Sequence, residues 1–325
     1  MRRFRSLVSA GVLVLGTLVA ATPTLMAGPA AHATAPGADG RIAFVRANQI
    51  YTMTATGKGI VKLTSAGKNY RPEWSPDGRR IAYIHEVDGR RAVWVMTATG
   101  SGKRAVTAPG TVASSGVTWS PDGRTIAYGG SATANPDPAS ALMLVPSTGR
   151  NAVPRVVTGY GTGGYCDEDP PLRSDSFFVY DYLAWSPEVA GRSQIAVKTN
   201  DCYYDWAISM YHPDTGEFAQ VMQSGADSSG YLMWTDLFFG PTGQFGYTEQ
   251  DRGDFTGVMG PRLIVYPGFA SRHGDTGGSP SPSGRFMAFT NNASGTAYVM
   301  RADVDGTRRQ RLTVGYQPDW GVRVP

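Results

Sequence analysis

Residues 74–78 read Trp-Ser-Pro-Asp-Gly, and residues 119–123 repeat the same five letters 45 positions later. Self-similarity at a period of about 40–50 residues marks stacked supersecondary units, as in a propeller or a solenoid. The pentapeptide opens each unit. An anchor aromatic leads into the turn, and a short strand with a small central residue follows, Ile81-Ala82-Tyr83 and Ile126-Ala127-Tyr128. A second strand, such as Val93-Trp94-Val95-Met96, ends in a Thr-Gly turn at Thr99-Gly100, and a brief outer strand closes the unit at Thr107. Runs of four or five β-branched or aromatic residues between Gly, Pro and Asp predict an antiparallel meander.

The small-centred strand recurs as Ile42-Ala43-Phe44, Ile195-Ala196-Val197, Phe245-Gly246-Tyr247 and Met287-Ala288-Phe289, which makes six copies. Their anchors are Trp74, Trp119, Trp185, Phe239, Pro280 and Trp320. Six four-stranded units predict an all-β fold, a six-bladed β-propeller. The two ends are out of phase. Residues 41–64 hold three strands without an anchor strand, and residues 316–320 are an anchor strand with nothing after it. The C-terminal strand is therefore expected to complete the N-terminal blade and close the ring, which removes the exposed edges of an open array.

The first residues read as an address. Arg2, Arg3 and Arg5 precede an apolar stretch from Leu7 to Ala20, and Ala31-His32-Ala33 supplies a small-residue cleavage pattern. Residues 1–33 are expected to be a signal peptide, and residues 34–325 a single propeller domain in an exported chain. That places it outside the cell, or in the periplasm where the host has an outer membrane. Proline at positions 23 and 29 and the short apolar core weigh against a membrane span. The leader's three arginines supply three of the chain's four net positive charges. No basic stripe remains to attract nucleic acid, and a monomer is expected.

The phrase WSPDGxxIAY, followed by a VWVM-type strand and a Leu-Thr ending, resembles the TolB-type β-propeller repeat. The resemblance is strong over residues 41–128 and 280–320 and faint between 160 and 270. It implies a six-bladed propeller and an exported protein. The best-known member of the family is a periplasmic scaffold for protein partners. The same repeat occurs in propellers appended to serine peptidases and in some polysaccharide-degrading enzymes, so the resemblance implies fold and export more than activity.

Strand order sorts the connections onto two faces. Turns between the first and second strands, and between the third and fourth, stay short. The other face collects the long loops 129–140, 159–181, 199–205, 223–234, 249–261 and 267–279. Long loops on one side of a rigid scaffold are the usual seat of function. Exposed aromatics there suit peptides or sugars, because flat rings give contact area at small entropic cost. Tyr182, Tyr203 and Tyr204 are expected to contribute to binding in this way. At the channel mouth Arg71, His85, Asp236 and Glu249 are expected to bind as well, with Gln317 nearby. Cys166 and Cys202 fall on the same face of an exported chain and are expected to form a disulfide.

Catalytic motifs are missing from the sequence. It holds no G-x-S-x-G elbow, no H-E-x-x-H and no metal-type Cys/His spacing. No catalytic residue, metal or cofactor is assigned. The expected function is that of an exported, non-enzymatic binding propeller, contacting a protein, peptide or glycan through its long-loop face. The alternative is an extracellular propeller hydrolase or lyase acting on a carbohydrate or lactone, with carboxylates at the channel mouth.

Overall fold

Each blade is a sheet whose innermost strand lines a central channel. The computed structural model describes residues 36–108, 112–131, 141–157, 182–200, 206–224, 232–251, 262–265 and 268–324. Strands β4 (Lys68–Trp74), β5 (Arg80–Val87), β6 (Arg90–Thr97) and β7 (Arg104–Ala105) pair in order as blade 2. Blade 3 is β8 (Val112–Trp119), β9 (Thr125–Ser131), β10 (Ala141–Pro146) and β11 (Arg155–Val156), and blade 4 runs from β12 (Leu183–Trp185) through β13 (Ile195–Asn200) and β14 (Trp206–His212) to β15 (Glu217–Ser224). Blade 5 shows three strands among the described residues, β16 (Leu232–Phe239), β17 (Phe245–Asp251) and β18 (Arg262–Val265). Blade 6 comprises β19 (Asp275–Pro280), β20 (Phe286–Asn291), β21 (Tyr298–Asp303) and β22 (Gln310–Val314).

Blade 1 joins the two ends of the chain. The C-terminal strand β23 (Tyr316–Val322) pairs antiparallel with β1 (Asp39–Arg46), which continues to β2 (Gln49–Met53) and β3 (Val61–Lys62). The ring of six is closed, as the phase of the repeat required. Asp39 reinforces the junction by accepting the backbone N–H and the hydroxyl of Ser283 at 2.9 and 3.0 Å.

The pentapeptide forms a turn that satisfies its own polar groups. Ser75 Oγ accepts the Arg80 N–H at 2.9 Å and donates to Asp77 at 2.6 Å, while Asp77 accepts the Arg79 N–H at 3.0 Å. Gly78 takes φ 67°, a left-handed conformation that favours glycine. Ser120, Asp122 and Thr125 repeat the pattern.

The core is a ring of six apolar clusters, one at each blade junction. In the Ile-Ala-Tyr strand, Ile81 and Tyr83 face blade 1 while Ala82 faces blade 3. Alternation along a strand explains this division. All six small centres are buried, and each pairs across the sheet with the residue before the anchor: Ala43 with Asp319, Ala82 with Glu73, Ala127 with Thr118, Ala196 with Ala184, Gly246 with Phe238 and Ala288 with Ser279. The single glycine faces the single aromatic. A Cβ at position 246 would overlap the Phe238 ring.

Candidate functional site: the central channel and its loop-face mouth

Five innermost strands carry a register shift just before the anchor, and in four of them it is a β-bulge of one extra residue. In β4 the span Tyr70 to Glu73 faces Ile84 to Ala82, one residue more than its partner, and β16, β19 and β23 repeat the mismatch. A bulge re-aims a side chain and increases local twist. The residue three places before the anchor is left with positive φ: Arg71 (53°), Asp236 (49°), Gly277 (59°) and Gln317 (51°). Such conformations cost non-glycine residues about 1–3 kcal/mol each and persist where the surrounding structure imposes them. At three of the four positions the backbone N–H is held by a side chain of a neighbouring strand. Gly277 N–H donates to Thr248 Oγ1 at 2.9 Å, Gln317 N–H to Thr290 Oγ1 at 3.1 Å, and Arg71 N–H to Gln317 Oε1 at 3.0 Å.

The bulges bring Arg71 and Asp236 together. Blades 2 and 5 stand opposite in the ring, and Arg71 Nη1 donates to Asp236 Oδ1 at 3.3 Å, so the ion pair bars the channel mouth. Each side chain keeps 22% of its surface exposed. The guanidinium carbon lies 4.9 Å from the centre of the Tyr182 ring, with the Lys198 ammonium 5.4 Å from the same ring. Both distances suit a cation–π contact. Arg71, Tyr182, Asp236 and Gln317 all line a channel of about 140 Å³.

His85 and Glu249 lie apart from that lining. His85 hydrogen-bonds Asn69 at 2.8 Å, packs 4.4 Å from Trp94, and is held below the usual imidazole pKa by burial. Glu249 sits 3.4 Å from the Trp234 indole N–H. Tyr203, Tyr204, Cys166 and Cys202 lie outside the described residues.

Deeper in the channel is a feature that the motif reading missed. The residue before the anchor reaches to the next blade. Asp319 accepts the Trp74 N–H at 2.6 Å, Glu73 the Trp119 N–H at 3.2 Å, Thr118 the Trp185 N–H at 3.0 Å, and Ser279 the Trp320 N–H at 2.8 Å. Ser279 and Thr118 also donate their hydroxyls to Asp319 and Glu73, at 3.1 and 2.8 Å. This polar belt links blade 6 through blades 1, 2 and 3 to blade 4. Ala184 and Phe238 bring no polar atom to it. Burial raises the Asp319 carboxyl pKa to about 6 and that of Glu73 well above the usual carboxylate range, with the charge of Asp319 adding to the rise at Glu73. The signal for these residues was their fixed place before each anchor. Among the described residues, no group of three His, Cys, Asp or Glu side chains could hold a metal ion.

A scan against protein-family models finds no match, nor does a search of the curated proteins. Solved structures do match. TolB from Acinetobacter baumannii aligns over 87% of this chain and 67% of its own, at 16% identity and a TM-score of 0.61. A TolB candidate from Agrobacterium tumefaciens aligns over 86% and 91%, at 18% identity and a TM-score of 0.54.

The chain has the TolB-like propeller fold.

The TolB-like ring has neighbours of another description too. A periplasmic gluconolactonase of Pseudomonas aeruginosa aligns over 88% of this chain and 99% of its own, at 13% identity and a TM-score of 0.50. Identities this low carry fold and not activity. No helix among the described residues is long and apolar enough to cross a membrane.

Proposed function

We propose that this TolB-like propeller is an exported binding protein, taking a protein, peptide or glycan on its long-loop face. The observation that carries this reading is the state of the channel carboxylates. Asp236 is paired with Arg71, and Glu73 and Asp319 each accept a backbone N–H and a hydroxyl from the neighbouring blades. General acid–base hydrolysis of a glycoside needs two carboxyl groups free to face one scissile bond. Here the carboxylates serve the ring, while the Arg71–Asp236 bar offers a ligand both a donor and an acceptor above a Tyr182 floor. His85 and Glu249, on strands β5 and β17, are further ligand contacts in this reading, as are Tyr203 and Tyr204, which lie outside the described residues. The mature protein is a monomer of residues 34–325, with Cys166 bonded to Cys202.

The competing reading is a hydrolase or lyase acting on a carbohydrate or lactone, whose support is the shared fold of the gluconolactonase. A peptide and glycan binding screen, run beside a lactone- and glycoside-hydrolysis assay, separates the two. Binding without turnover, weakened at least tenfold by Arg71→Ala with Asp236→Ala at a nearly unchanged melting temperature, is the expected result. Turnover that is lost in Asp236→Asn would overturn it.

A further inference from the structure

Charge on the short-turn face is divided between its two halves. In blades 1, 2 and 3 each short connection exposes one cation. Arg323, Arg79 and Arg124 stand where first strands give way to second ones, nearer the channel axis, and Lys58, Lys103 and Arg150 between third and fourth strands, nearer the rim. With the half-buried Arg41, Arg80 and Arg104, nine cations are set against three carboxylates, Asp39, Asp77 and Asp122. Those carboxylates are already engaged. Asp77 accepts the Ser75 hydroxyl and the Arg79 N–H, Asp122 accepts the Ser120 hydroxyl and the Arg124 N–H, and Asp39 accepts Ser283. The Arg124 side chain comes no nearer to Asp122 than 3.9 Å, with both more than half exposed, a pairing that solvent screens. The other half of the face is not basic. Its turns mix their signs, with Glu188, Arg192 and Asp214 in blade 4 and Arg285, Asp305 and Arg308 in blade 6, and the blade 5 turn from Gly240 to Gln244 is uncharged.

The cations crowd most at the junction of blades 2 and 3. Arg80 donates to the hydroxyl of the buried Ser147 at 3.1 Å, and Arg104 to its carbonyl at 2.8 Å. Burial, and then the charges of Arg150 and Arg80, hold the Arg104 guanidinium below its ordinary pKa. Among the described residues no carboxylate forms an ion pair with any of these three arginines. Like charges set together without a counter-charge raise the local potential and draw anions from outside. At the rim of blade 1 an apolar pair follows Lys58: Ile60 and Val61 are 40% and 48% exposed.

We propose that the short-turn face of blades 1–3 docks on an anionic lipid surface. The six exposed cations lie at one end of antiparallel strands, in two arcs around the channel axis, so they form a sheet of charge. A sheet matches a bilayer surface, whereas a linear polyanion calls for a stripe or groove. Attraction to anionic headgroups adds up over cations near the surface and fades within a Debye length, so charges held at one height act together. Ile60 and Val61 enter the headgroup layer beside Lys58, as the apolar residues of peripheral anchors do. Docked in this way, the protein turns its long-loop face away from the lipid. The inference is independent of what that face binds.

The test is co-sedimentation of the mature chain, residues 34–325, with phosphatidylcholine vesicles and with vesicles that also hold about 30% phosphatidylglycerol, in about 0.05 M salt. Omitting the leader removes its own apolar stretch from the measurement. The anionic vesicles should bind the protein and the neutral ones should not, and about 0.5 M salt should release it. Arg79→Glu with Arg124→Glu and Arg150→Glu should weaken the partition at least tenfold, and so should Lys58→Glu with Lys103→Glu in the outer turns. Ile60→Ser with Val61→Ser should weaken it by about threefold or more. Arg90→Glu, exposed on the opposite face, should leave it unchanged. The proposal is overturned if anionic vesicles bind no protein, if neutral vesicles bind as much, or if the lysine variant partitions like the parent. Retention on heparin without vesicle binding would also overturn it, by assigning the face to a soluble polyanion.

Discussion

Asp319, one residue before the last anchor, accepts the backbone N–H of Trp74 at 2.6 Å, so the end of the chain holds the innermost strand of blade 2. The same carboxyl accepts the hydroxyl of Ser279 in blade 6. One side chain thereby ties three consecutive blades. Asp319→Ala should cost about 1–3 kcal/mol, the penalty for leaving buried donors without an acceptor. Asp319→Asn keeps an acceptor oxygen and should cost less. Denaturant titration of both variants checks the order.

Those buried carboxyls also predict the direction of a pH effect. Asp319 titrates at about 6 in the fold against 3.8 for the free side chain, and Glu73 is raised too. The native state therefore binds more protons than the unfolded chain between about pH 4 and 6, and stability from these groups falls as pH rises through that window. Glu86 works in the opposite sense. Hydrogen bonds from Lys68, Tyr70 and Arg91 lower it to about 2, so its contribution is present above pH 4.5 and lost on acidification towards 2. Thermal melts of the parent and Asp319→Asn between pH 4 and 8 should show the variant gaining relative to the parent as pH rises. A constant difference would contradict the assignment.

Ring closure predicts the effect of truncation. Removing residues 316–325 takes away β23 and exposes the edges of β1 and of the neighbouring blades. Such a chain should aggregate or lose its single cooperative transition. Calorimetry that returned the parental melting profile would refute the closure argument.

The Gly246–Phe238 pair predicts a coupled effect. Gly246→Ala places a methyl group into the Phe238 ring and should destabilise by about 1–3 kcal/mol, the usual range for overpacking. Combined with Phe238→Ser, which copies the Ser279–Ala288 pair of blade 6, the loss should be smaller than the sum of the two single losses. A double-mutant cycle measures the difference.

The repeat made the fold legible. Trp74 and Trp119 fix the period, six small-centred strands count the blades, and the unmatched ends at residues 41 and 320 locate the closing blade. All of these are local patterns, since side-chain alternation and turn chemistry act over a few residues. Arg71, Asp236 and Gln317 were also marked as mouth residues by their place in the first strand of each unit. The Arg71–Asp236 bar was not legible. It joins side chains 165 positions apart, and it exists because bulges turn two opposing strands inward. Nothing in the repeat says that blades 2 and 5 would present opposite charges at one height. His85 and Glu249 carry similar chemistry at a similar point of the repeat, yet the second strand of a blade stands behind the first, and both stay out of the channel lining. The sequence by itself determined the order, number and closure of the blades. Only the tertiary structure decided which polar side chains meet, because that depends on how six twisted sheets converge on one axis.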